Sequence, residues 1–178
     1  MSDAAVAEFT RVVDALVAQG APIDVNTMSK LAGEIGKTFG VKTDEVAILS
    51  TTEDEKFLQF VLPLALQKIG SIPVTSTTAL AARTAREKRP ELINNFTIAR
   101  HSTVFEAVPL EQKHRGDPIQ KIMSAPVIAN NRIAGVLQVS RKGKTVTSAG
   151  PDFGPKDLTE LSAYAMQVGR CFKFLRLD

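Results

Sequence analysis

The stretch Ile119 to Gly143, IQKIMSAPVIANNRIAGVLQVSRKG, places the tightest constraint on what this chain can fold into. Two runs of β-branched and aliphatic residues flank Asn130-Asn131, and asparagine tolerates the positive φ angles that a tight hairpin turn requires. The pattern predicts a central β-hairpin. In its first arm Lys121, Met123 and Ala125 share one parity and Ile122, Ser124 and Pro126 the other. Neither face is purely polar, so both are expected to be covered. The second arm, Ile133 to Val139, carries Gly135, where another backbone or a ligand can come close.

With 178 residues, 44% of them hydrophobic, the chain can bury the core of one domain. The longest apolar stretch, Phe57 to Leu66, is interrupted by Gln59 and Pro63, so no membrane span is expected. Asp3 and Glu8 stand where a signal peptide has positive charge, and a cytoplasmic location is the expectation. A lone Cys171 excludes an intrachain disulfide, and one thiol with two histidines leaves little for a metal site. His101 and His114, 13 residues apart, read as loop residues rather than metal or haem ligands.

Charge is uneven: residues 1 to 60 hold 5 Lys/Arg and 10 Asp/Glu, and residues 61 to 178 the other 17 and 9. The basic part can attract an anionic small molecule, or meet acidic helices of its own or a neighbouring chain. Nucleic acid is not expected, because nine Phe, one Tyr and no Trp are not interleaved with a Lys/Arg stripe.

In chain order, Val6, Phe9, Val13 and Leu16 mark a helix over Ser2 to Gln19. Met28, Leu31, Ile35 and Phe39 mark a second, with Asp24 or Asn26 as cap and Gly40 as stop. Gly36-Lys37-Thr38 is not a phosphate loop, since Leu31 stands where the motif needs glycine. Glu45 to Ser50 and Phe57 to Leu62 read as an antiparallel strand pair. Thr75 to Thr78 offers N-caps for a small-residue helix that runs to about Lys88, with Arg83, Arg86, Lys88 and Arg89 facing water. Asn94 to Asp117 is irregular and reads as a functional loop. Pro155 opens a last helix with a seam through Leu158, Leu161, Ala165, Val168, Phe172 and Leu175, able to pack on the first helix. Cys171 beside that seam reads as packing rather than nucleophile.

Three stretches in this order resemble the GAF domain, a family of regulatory ligand-binding modules: IPVTSTTALAARTAREKRPELINN from Ile72, SAPVIANNRIAGVLQVSRKG from Ser124 and FGPKDLTELSAYAMQVGRCF from Phe153. The likeness covers about residues 45 to 175, and divides the chain into N-terminal helices at 1–44, candidates for a dimer bundle, and a GAF-like domain at 45–178. It implies an α+β fold: a central antiparallel β-sheet, N- and C-terminal helices on one face and a ligand-pocket side on the other. Cyclic-nucleotide-binding members carry an Asn-Lys pair where Ser140-Arg141 stands and a Glu where Leu158 stands, so cyclic GMP is not supported. Bilin attachment and methionine-sulfoxide reduction need cysteines that are not in the matching positions.

The resemblance implies a non-enzymatic sensor that binds a small molecule, with an anion favoured by the basic residues, and signals through its terminal helices to a separate output protein. A homodimer through those helices is expected, without metal or cofactor. Pocket candidates are Ser76, Thr77, Arg100, His101, Thr103, Phe105 and Lys121. Arg100 and Lys121 would meet negative charge, the hydroxyls would orient the ligand and Phe105 would supply an apolar wall. The alternative is a dimerisation or protein-interaction module whose pocket is closed by its own side chains, Phe105 and Met123 among them.

Overall fold

Asn130 and Asn131 both adopt left-handed backbone, at φ 54° and 62°, and so turn Ile119–Ala129 (β5) back on Arg132–Lys142 (β6) as the sequence predicts. The structure, a computed structural model, describes residues 2–68, 70–96 and 117–177. Around the hairpin lie α1 (Ser2–Gln19), α2 (Val25–Phe39), β1 (Val46–Thr51), β2 (Phe57–Leu62), β3 (Ser71–Pro73), α3 (Leu80–Glu87), β4 (Glu91–Ile93) and α4 (Pro155–Cys171). Short 3-10 turns cover Thr43–Glu45, Leu64–Leu66 and Phe172–Phe174.

The six described strands form one antiparallel sheet in the order β3-β2-β1-β6-β5-β4. Alternation along β5 divides its side chains between two layers. Met123, Ala125 and Val127 join Phe9 and Val13 of α1, Met28 and Ile35 of α2, and Leu161 and Val168 of α4 in one core. Ile122 packs with Leu80 of α3 on the opposite side. Ala47, Leu49, Leu58, Phe60 and Val136 extend that second side beneath Ala81, Ala82 and Ala85. The small residues of α3 let its backbone lie close to the strands, as its composition predicts.

The helix ends follow the side chains available. Asp24 accepts from the Thr27 N–H at 2.9 Å, and Gly40 closes α2 at φ 66°. Asp157 accepts from the Gly154 N–H at 2.8 Å, with Pro155 opening the helix. Two expectations need correction. None of the hydroxyls from Thr75 to Thr78 caps α3: Ala79 is its N-cap, and Ser76 Oγ instead accepts from the Ala79 N–H at 3.2 Å. The last seam is not helical throughout, because α4 ends at Cys171 and Leu175 forms a parallel bridge with Ile23. Ile23 N–H donates to Phe174 O at 2.7 Å, which ties the chain end to the link between α1 and α2.

Candidate functional site

The side of the sheet under α3 contains polar residues inside apolar strands. In register across β1, β6, β5 and β4 run Ala47, Gln138, Ser124 and Glu91. Ser124 is fully buried and shares a 2.7 Å hydrogen bond with Thr84 of α3. Gln138 Nε2 donates to Ser124 Oγ at 3.1 Å, and Thr84 Oγ1 also reaches Leu80 O at 2.9 Å. At the end of the row Arg83 Nε donates to Glu91 at 3.0 Å, and both guanidinium and carboxylate are mostly covered. Arg86 donates to Ser76 O at 2.6 Å and also to Val74 O. Arg83 is therefore partly covered rather than facing water as the composition of α3 suggests, whereas Arg86 is exposed as expected while bonding those carbonyls; both pin that helix to its surroundings.

Lys121 lies elsewhere. It shares the parity of Met123, so it points to the terminal-helix side, where it pairs across strands with Arg141. Lys121 Nζ, only 4% exposed as a side chain, donates to Asp152 Oδ1 at 2.8 Å and Gly150 O at 2.6 Å. Arg141 donates to Phe39 O at 2.7 Å and Pro151 O at 2.6 Å, and stacks 4.1 Å from the centre of the Phe153 ring. Burial lowers the Arg141 pKa from its ordinary value, with Asp157, Glu45 and Asp152 acting in the opposite direction. These two cations hold the loop that leads into α4.

Of the residues singled out from sequence, Ser76 is half-buried at the start of α3 and Thr77 is exposed beside it. Lys121 is on the other side of the sheet from them, and Arg100, His101, Thr103 and Phe105 lie outside the described residues. Met123, expected to fill the pocket in the closed alternative, packs instead into the terminal-helix core. Sequence reasoning passed over Thr84 and Gln138. Their signal was a polar residue at a position flanked by apolar ones, but cross-strand register was needed to bring them to Ser124.

The opposite layer is tied to the same strands. Phe9 meets Tyr164 edge-on at 4.9 Å, Thr38 shares a hydrogen bond with Tyr164, and Arg170 pairs with Asp14 at 2.8 Å. A cleft of about 680 Å³ between α1 and α2 has Phe9, Val12 and Leu31 among its walls. Cys171 is buried, and burial raises its thiol pKa, the reverse of what activates a nucleophile. Among the described residues no three His, Cys, Asp or Glu side chains gather as metal ligands. No described helix is long and apolar enough to cross a membrane.

The fold is shared with solved structures. It superimposes on the GAF domain of an Acinetobacter phosphoenolpyruvate-protein phosphotransferase with TM-score 0.68 and 12% identity, over 95% of this chain and 90% of that one. The corresponding domain from Coxiella burnetii gives 0.62 and 9%, over 92% and 90%. The free methionine-R-sulfoxide reductase of Neisseria meningitidis, solved with its substrate, gives 0.62 and 15%, over 95% and 89%. No curated protein sequence matches the chain. The family model of the GAF domain matches residues 17–172, and with the sheet order and two-sided helical cover just described, the chain belongs to the GAF domain family.

Proposed function

We propose that this chain is a regulatory module that binds a small molecule between α3 and the sheet and passes the change through its terminal helices to a separate protein. The observation that carries the reading is the burial of β5 on both faces. Ser124 meets Thr84 on the α3 side, while Met123 and Ala125 on either side of it meet the terminal-helix core. A rigid strand shared by two layers cannot shift on one face without repacking the other. The ligand biases the equilibrium by its differential affinity for the two arrangements.

Lys121, one of the two cations expected to meet an anionic ligand, is occupied by Asp152, so the reading carries no requirement for a charged ligand. The proposed activity is non-enzymatic, in contrast to the Neisseria reductase: the one thiol, Cys171, is packed inside α4. The reading places the protein in the cytoplasm as a homodimer. Val12 of α1 and Met166 of α4, 42% and 66% exposed, are unpaired apolar groups in the helical layer that a second copy would cover.

A second reading, a protein-interaction module, is favoured by the apolar cleft between α1 and α2. Native mass spectrometry of freshly purified protein separates the two. A dimer carrying a stoichiometric extra mass is the result expected of the sensor. A bare chain whose melting temperature no metabolite raises overturns it, because any ligand selective for the native state adds about 2.7 kcal/mol at a hundred times its Kd.

A further inference from the structure

Gln138 is 3% exposed, yet among the described residues its carboxamide makes one hydrogen bond, from Nε2 to Ser124 Oγ. Either assignment of the amide oxygen and nitrogen leaves one of its two polar atoms unpaired. The register explains why none of the described groups reaches that atom. The cross-strand neighbours of Gln138 are Ala47 and Ser124, both short. Of the α3 side chains above the sheet, Ala81, Ala82 and Ala85 carry no polar group, and the Thr84 hydroxyl is occupied by Leu80 O and Ser124.

Charge is absent from the middle of this row. Glu91 at its edge is paired with Arg83, Arg86 is held by backbone carbonyls, and Lys121 and Arg141 lie on the opposite face. Among the described residues the side-chain atom that is both fully buried and unpaired is Thr51 Oγ1, so the second polar atom of Gln138, on a residue otherwise covered, keeps accessible surface that water or a ligand can reach.

We propose that the free edge of the Gln138 carboxamide is the recognition element beneath α3 and selects a neutral planar group with adjacent donor and acceptor, as in a lactam, a primary amide or a nucleobase edge. This rests on the small-molecule reading above and gives it a chemical class. A carboxamide offers both a donor and an acceptor, so it complements such a group without any net charge to neutralise. Sites built to hydrogen-bond a ligand discriminate strongly against analogues that lack the group.

The test is titration calorimetry of the full chain and of Gln138→Leu against uracil, hypoxanthine and nicotinamide, with benzoate and benzyl alcohol as planar compounds lacking the amide edge. The wild-type protein is expected to bind at least one of the first three, and Gln138→Leu to weaken it about tenfold or more while melting at the wild-type temperature or above. Binding to the variant within about twofold of wild type overturns the proposal, since the loss expected of a recognition contact is larger. Failure of all three to bind the wild type also overturns it. If benzoate or benzyl alcohol alone binds, the small-molecule reading stands and the role of Gln138 falls. If no compound binds and native mass spectrometry shows a bare chain, both fall.

Discussion

Gly135 of β6 passes so close to Leu49 of β1 that a Cβ at position 135 would stand 1.9 Å from the Leu49 carbonyl oxygen. The same Cβ would also meet the Phe172 ring at 2.7 Å. Gly135→Ala is therefore expected to separate the central strand pair and cost about 3 kcal/mol, read as a lower urea midpoint. A midpoint within error of wild type would mean that the two strands can part there without loss.

Ser124 is the junction of the buried polar row, with Thr84 at 2.7 Å and Gln138 at 3.1 Å. Ser124→Ala leaves both partners short of a hydrogen bond and is expected to destabilise by about 1–3 kcal/mol. Adding Gln138→Leu should recover part of that loss, because one of the two stranded groups is then gone. A double-mutant cycle in denaturant measures the coupling; strictly additive losses would show that the row does not act as a unit.

Lys121 is buried while its partner Asp152 is largely exposed, with side chains 4% and 69% accessible. Removing the carboxylate leaves a covered ammonium with Gly150 O alone. Removing the ammonium leaves only a solvated carboxylate. Asp152→Ala is thus expected to cost more than Lys121→Met, by about 1 kcal/mol after discounting for solvent screening. Thermal melts of the two variants decide the order.

Burial raises the pKa of both the Cys171 thiol and the Tyr164 phenol. A group with a raised folded pKa contributes stability that is fully present below its unfolded pKa and is lost as pH rises through the folded one. Stability is expected to decline above about pH 8.5 as the unfolded thiol ionises, and further above about pH 10. Cys171→Ala should remove the first part of that decline in urea titrations at successive pH values. A decline that begins at the same pH in the variant would assign it to other groups.

The Asn130-Asn131 turn, the choice of Asp24 or Asn26 as a cap, Pro155 at the start of α4 and the extent of α1 were legible because each depends on neighbours within about four residues along the chain. Gly135 was legible as a point of close approach, and β6 places the Leu49 backbone there. Lys121 shows where local reading stops. Its sequence neighbours give its parity, but only the packing of Met123 and Ala125 on the terminal helices tells which face that parity serves. Thr84 and Ser124 are 40 residues apart, and Ser124 and Gln138 are 14 apart. Their meeting follows from how α3 crosses the sheet and from hairpin register, and neither leaves a periodic trace in composition.

By itself the sequence determined the main helices, the central strands and the two-sided burial of the hairpin, since these follow from backbone geometry and from side-chain period along a single segment; it did not determine the start of α3 or the end of α4. The tertiary structure decided which face carries charge and which carries the uncharged polar row. The same alternating strand can be laid on its helices either way up, and the choice is made by the sum of contacts from α1, α2, α3 and α4 rather than by any stretch of the strand alone.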